Sequence, residues 1–101
     1  MARPVLSRMI KSFKDSEAER IFRREVSRRL PTDIQAVALR KLRMLHHATQ
    51  INDLRVPPAN RLEKLSGDRA GRYSIRVNER WRICFRWEER DAFDVEIVDY
   101  H

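Results

Sequence analysis

Apolar positions recur every three or four residues in the first half of the chain and every second residue in the later part. In "DSEAERIFRREVSRRL", Ala18, Ile21, Phe22 and Val26 share one face at helical spacing. Ser16 followed by Glu19 has the spacing of a capping box. Pro31 breaks the pattern. "PTDIQAVALRKLRMLHHA" predicts a second helix with Thr32 and Gln35 as another capping box. Ile34, Val37, Ala38, Leu42 and Leu45 form its apolar stripe. Consecutive prolines in "VPPAN" force a loop, because they cannot continue a helix. Ahead of the helices, "MIKSF" (Met9 to Phe13) alternates weakly and predicts a short first strand. Residues 1–8 then form an extension, with Met9 as an alternative start, and residues 9–101 form one domain.

Beyond the prolines the period is two. "RLEKL" predicts a short edge strand. "RYSIRV" puts Tyr73, Ile75 and Val77 on one face, with Arg72, Ser74 and Arg76 on the other. "RWRICFRW" puts Trp81, Ile83, Phe85 and Trp87 opposite Arg80, Arg82, Cys84 and Arg86. "FDVEIVDY" turns Phe93, Val95 and Ile97 inward. The predicted fold is α+β, with two N-terminal helices packed on the aromatic face of a small, mainly antiparallel β-sheet. A tight turn at Asn78 and Glu79 would set Arg76 opposite Arg82. A turn at "ERD" would pair Arg86 with Asp94 and Arg80 with Tyr100.

Charge sharpens this picture. The chain carries 22 Lys plus Arg against 15 acids, formally +7, and most of the cations are arginines suited to bidentate phosphate contact. From Arg55 to Arg86 there are nine basic residues against Glu63, Asp68 and Glu79; from Glu88 onward six acids face Arg90 alone. The balance predicts a polyanion partner, with ordinary solubility as the alternative. One cysteine, Cys84, excludes an internal disulfide and fits a reducing cytoplasm. No apolar run approaches the ~20 residues that span a bilayer. The opening stretch has too short an apolar core for a signal peptide.

The predicted registers gather Arg76, Arg80 and Arg82 on one face, flanked by Arg72 and Arg86. Like charges directly opposite one another destabilise a sheet, and a bound phosphate would offset that. The alternative is a solvated face whose arginines pair with Asp94 and Glu96. The chain then closes on Asp99, Tyr100 and His101 beside these arginines. RNA brings its own nucleophile, the 2′-hydroxyl. A protein acting on it needs a base, an acid and cations around the phosphorus, and histidine and arginine suit those tasks. Other residues read as structure: Trp81, Trp87 and Tyr73 as core, Cys84 as filler, His46 and His47 as helix-end cations. The two histidines are adjacent on a helix and diverge, which argues against a metal site.

"MIKSF", "LSGDRAGRYSIRVNERWRICF" and the final "VEIVDYH" together resemble the HigB-type toxins of the RelE/ParE superfamily, over about residues 9–101. The resemblance implies a small basic toxin that enters the ribosomal A site and cleaves mRNA without a cofactor. It also implies a helix-turn-helix, HigA-like antitoxin that neutralises the toxin and carries it to operator DNA. The family's terminal acid–tyrosine–histidine falls on Asp99, Tyr100 and His101. The arginine of its "WRI" motif falls on Arg82, and its "GDR" element on Gly67, Asp68 and Arg69. Well-studied relatives have a histidine where Glu63 stands and a lysine where Ser66 stands, so Glu63 is a candidate base. Candidate phosphate contacts are Arg69, Arg72, Arg76, Arg80, Arg86 and Lys64. The rival readings are a non-enzymatic superfamily toxin of the gyrase-poison type and a plain RNA- or ribosome-binding module.

Overall fold

The computed structural model describes residues 10–67 and 71–99. The expected extension at residues 1–8 lies outside them. Helix α1 spans Ser16–Phe22 and α2 spans Thr32–His47. Short 3-10 turns at Ile51–Arg55 and Pro58–Asn60 lead into the sheet. Its strands are β1 (Glu63–Lys64), β2 (Arg72–Arg76), β3 (Trp81–Glu88) and β4 (Asp91–Asp99), antiparallel and in sequence order. The predicted α+β architecture is the observed one, with β1 as the edge strand. Among the described residues no helix is long and apolar enough to cross a membrane.

The core lies between the helices and one face of the sheet. Ile21, Ile34, Ala38, Leu42 and Leu45 pack with Ile75, Ile83, Phe85, Val95 and Ile97. Each of the larger side chains contributes about 1.5–3 kcal/mol by leaving water. Trp81, Trp87 and Tyr73 pack around it partly buried, as their alternation predicts, and Val37 does so from α2.

Helix α1 is shorter than its apolar spacing predicts. Arg23 closes it and Arg24 turns left-handed at φ 66°. The next turn is held by side chains instead of a helical ladder. Ser27 Oγ donates to Glu17 Oε1 (2.7 Å) and accepts from the amides of Arg29 and Leu30. Gln35 accepts from the Ser27 amide and donates to the Ser27 and Leu30 carbonyls. These bonds occupy the amides of Ser27, Arg29 and Leu30 and the carbonyls of Ser27 and Leu30 without a helix. Val26 leaves the apolar stripe and is 75% exposed.

Neither predicted capping box forms. The N-cap of α1 is Asp15, whose Oδ1 accepts from the Glu17 amide at 2.8 Å. Asp15 Oδ2 also accepts from the Ile97 amide at 3.3 Å, tying the helix to β4. Pro31, whose ring has no acceptor, caps α2 without a side-chain bond, and Gln35 bonds instead to the preceding turn.

The predicted first strand docks beside β4 through isolated parallel bridges at Ile10–Ala92 and Phe13–Val95. Continuous pairing is interrupted where β4 bulges. Asp94 is left-handed (φ 55°), and its amide donates to Ser12 Oγ. That bulge also corrects the expected register. Arg86 pairs with Phe93, one residue away from the expected Asp94, while Cys84 still pairs with Glu96. Phe93 therefore leaves the core side and lies under the Arg86 guanidinium, 4.5 Å from its ring centroid, and Ala92 points inward in its place.

Candidate active site

The polar face of the sheet is built by the turn after β2. Asn78 Oδ1 accepts from the amides of Arg80 and Trp81, both at 2.8 Å, and so fixes the hairpin. The register that follows sets Arg76 directly opposite Arg82, Ser74 opposite Cys84 and Arg72 opposite Arg86.

The arginines on this face divide into two groups. Arg72 reaches Glu96 Oε2 (3.4 Å) and the Asp94 carbonyl (3.3 Å), with the Asp94 carboxylate 3.8 Å away. Arg86 meets Glu88 at 3.0 Å and Asp94 at 3.5 Å. These two arginines are paired with acids, as the solvated alternative has them. At the other end of the face, Arg82 is 8% exposed, and its guanidinium bonds to Ser74 and to the Arg61 backbone. Nε donates to Ser74 Oγ at 2.8 Å, and Nη2 donates to the Arg61 carbonyl at 2.6 Å. The Arg76 side chain makes no hydrogen bond or ion pair with a described residue. This end of the face sets two guanidinium-bearing residues directly opposite one another, with Asp94 and Glu96 of β4 engaged by Arg72 and Arg86.

A profile of the family described as the RelE-like toxin of the type II toxin–antitoxin system HigB matches residues 11–101. Toxin HigB-1 of Vibrio cholerae serotype O1 is 41% identical over 87 residues, covering 85% of this chain and 92% of that protein. Endoribonuclease HigB of Proteus vulgaris is 36% identical over 94 residues, covering 92% of this chain and 100% of that protein. The chain belongs to the HigB-like toxin family. Membership implies an antitoxin partner.

The sequence-predicted residues of this HigB-family chain do not all converge. Glu63 is exposed on edge strand β1 opposite Ser74, in the row that carries the acceptor of Arg82. Lys64 is opposite Tyr73, so alternation places it on the other face, away from Arg82. Asp99 pairs in register with Trp81, again the core-side face. Its Oδ2 accepts from Arg80 Nε (2.9 Å) and Nη2 (2.7 Å). Arg80 is thereby drawn toward Asp99 and the Trp81 ring, whose centroid is 5.8 Å away, and leaves the expected cluster with Arg76 and Arg82. The Asp99 hydrogen bonds and charge push the Arg80 guanidinium to an even higher pKa. Asp68, Arg69, Tyr100 and His101 lie outside the described residues.

His46 differs from the expected helix-end cation. Its Nδ1 accepts from the Ile10 amide at 3.2 Å, and its ring is 5.0 Å from Phe22. Burial, then the charges of His47 and Arg43, lower its pKa and favour the neutral ring. Among the described residues no cluster of three or more His, Cys, Asp or Glu side chains is placed to hold a metal.

Sequence reasoning missed one buried pair. Lys41 (4% exposed) donates from Nζ to Asn60 Oδ1, and Asn60 is fully buried. The signal was present in the pattern. Lys41 lies within the stripe of Ile34, Ala38, Leu42 and Leu45, where a cation needs a partner.

Proposed function

We propose that this chain is a ribosome-dependent mRNA endoribonuclease of the cytoplasm, the toxic half of a pair completed by a helix-turn-helix antitoxin. The antitoxin carries the toxin to operator DNA. The name of the Proteus vulgaris relative supports the nuclease reading. The observation that carries the reading is the Arg76–Arg82 juxtaposition across β2 and β3. A phosphodiester between these guanidiniums relieves their repulsion, and its developing charge is stabilised as the 2′-hydroxyl attacks phosphorus. The nucleophile comes with the RNA, so the protein supplies proton transfers and charge. His101 or Asp99 accepts the 2′-hydroxyl proton, and His101 or Tyr100 protonates the departing 5′-oxygen. Glu63, in the row of Ser74, is the second candidate base. Arg69 and Arg80 extend the basic track for the flanking RNA.

The test is expression of the chain without its antitoxin, followed by mapping of transcript ends. Cuts inside translated regions, leaving 5′-hydroxyl ends that vanish when ribosomes are kept off the message, are expected. Intact transcripts with arrested translation point to a binding module instead, and DNA breaks point to a gyrase poison.

A further inference from the structure

The Pro57–Arg61 segment is tied down more heavily than a connecting loop requires. The amides of Asn60 and Arg61 close onto the carbonyls of Pro57 (2.9 Å) and Pro58 (3.0 Å). Asn60 Nδ2 donates to the Leu54 carbonyl at 3.0 Å and the Val56 carbonyl at 3.4 Å. Its Oδ1 receives the Lys41 ammonium from α2. Burial, then the charge of Arg40, lowers the Lys41 pKa, so this amine loses solvation to keep one amide acceptor. The next residue, Arg61, is left-handed at φ 46°, ψ 58°, a conformation that a side chain with a Cβ adopts only when its surroundings enforce it. The carbonyl of that strained residue accepts Arg82 Nη2. Ser74 Oγ holds Nε of the same guanidinium.

We infer that the buried Lys41–Asn60 pair is a positioning element for Arg82. It fixes the Pro57–Arg61 turn so that the Arg61 carbonyl and Ser74 together orient the guanidinium toward a phosphate on the sheet face. Lys41 and Asn60 touch no substrate; they act through the Arg61 backbone. A planar fork gains its value over a lysine only when its plane is fixed, and two acceptors from two different elements fix it. The inference deepens the nuclease reading and rests on it for the catalytic part, but the orientation of Arg82 is testable alone.

The experiment uses the full chain with Lys41→Met and, separately, Asn60→Asp, which keeps the side chain's size but sets an oxygen against two carbonyls. Side-chain nitrogen NMR follows the Arg82 Nε–H. Its hydrogen exchange should quicken by about tenfold or more in either variant, while the amides of Ile75, Ile83 and Phe85 keep their protection. An Arg82 signal unchanged in both variants, or one that loosens only together with the core amides, overturns the inference. Cleavage by the folded protein is then measured for Asn60→Asp with and without Arg82→Ala. A positioning role slows the step about tenfold with Arg82 present and less than about twofold in the Arg82→Ala background, with little change in KM. Equal slowing in both backgrounds marks a merely structural role and contradicts the inference. Absence of cleavage by the unaltered chain overturns the nuclease reading, and Arg82 exchange still decides the positioning.

Discussion

Arg72 and Arg82 sit on the same face of the sheet, yet Arg72 is held by the carboxylate of Glu96 and Arg82 by the hydroxyl of Ser74. A carboxylate offsets the charge it binds, whereas a hydroxyl and a carbonyl fix the plane of a guanidinium. One face of one small sheet therefore holds one arginine paired with an acid of β4 and one bonded to Ser74 and the Arg61 carbonyl.

Glu96 should matter for stability and little for catalysis. Both side chains of its pair with Arg72 are largely buried, at 15% and 13% exposure, and Lys14 approaches the same carboxylate at 3.8 Å. Glu96→Gln should cost about 1–2 kcal/mol, because Arg72 then loses its charged acceptor. Thermal denaturation should show a midpoint lower by roughly 4–8 °C for each kcal/mol lost. The cleavage rate of the folded variant should match that of the unaltered chain.

Asp15 and Ser16 should exchange the importance their spacing suggests. Asp15→Ala removes both the cap on the Glu17 amide and the bond from the Ile97 amide. Loss of a cap costs about 1 kcal/mol, and the tie to β4 adds to it. Ser16→Ala should change the denaturation midpoint little. Equal effects would restore the capping-box reading.

His46 should make stability depend on pH in a defined direction. Its folded pKa is lowered by burial and by His47 and Arg43, so below the ordinary value near ~6.5 the unfolded chain binds the proton first. The contribution of the neutral ring is fully present above that value. It is lost as the pH falls toward the depressed folded pKa. Protonation also converts Nδ1 from acceptor to donor and breaks its bond with the Ile10 amide. The denaturation midpoint should therefore fall between pH 7.5 and 5, and His46→Gln should show a shallower fall. Identical slopes would place the pH dependence on other groups.

Much of the fold was legible because period and punctuation agreed. The residues of β2 and β3 alternate without interruption, and Asn78 marks the hairpin that sets Arg76 against Arg82. The misses share a physical cause: side chains took over tasks that spacing assigns to the backbone. Ser27 and Gln35 end α1 early and expose Val26. Asp94, in a left-handed bulge, turns Phe93 from the core to the arginine face. Sequence alone grouped five arginines by alternation. It offered Asp94 and Glu96 as alternative partners, but did not show that they would claim Arg72 and Arg86 in particular, or that Asp99 would draw Arg80 aside. The Lys41–Asn60 pair joins residues 19 apart and has no local signature beyond a lysine in an apolar stripe.

Arg76 tests the central claim most directly. Its like-charged neighbour across the strand makes it a cost to the fold, and no described residue binds its guanidinium. Arg76→Ala should leave the denaturation midpoint unchanged or raise it, and should slow mRNA cleavage on ribosomes by about tenfold or more. A variant as active as the unaltered chain would contradict the account, because the arginine pair would then have no phosphate to serve.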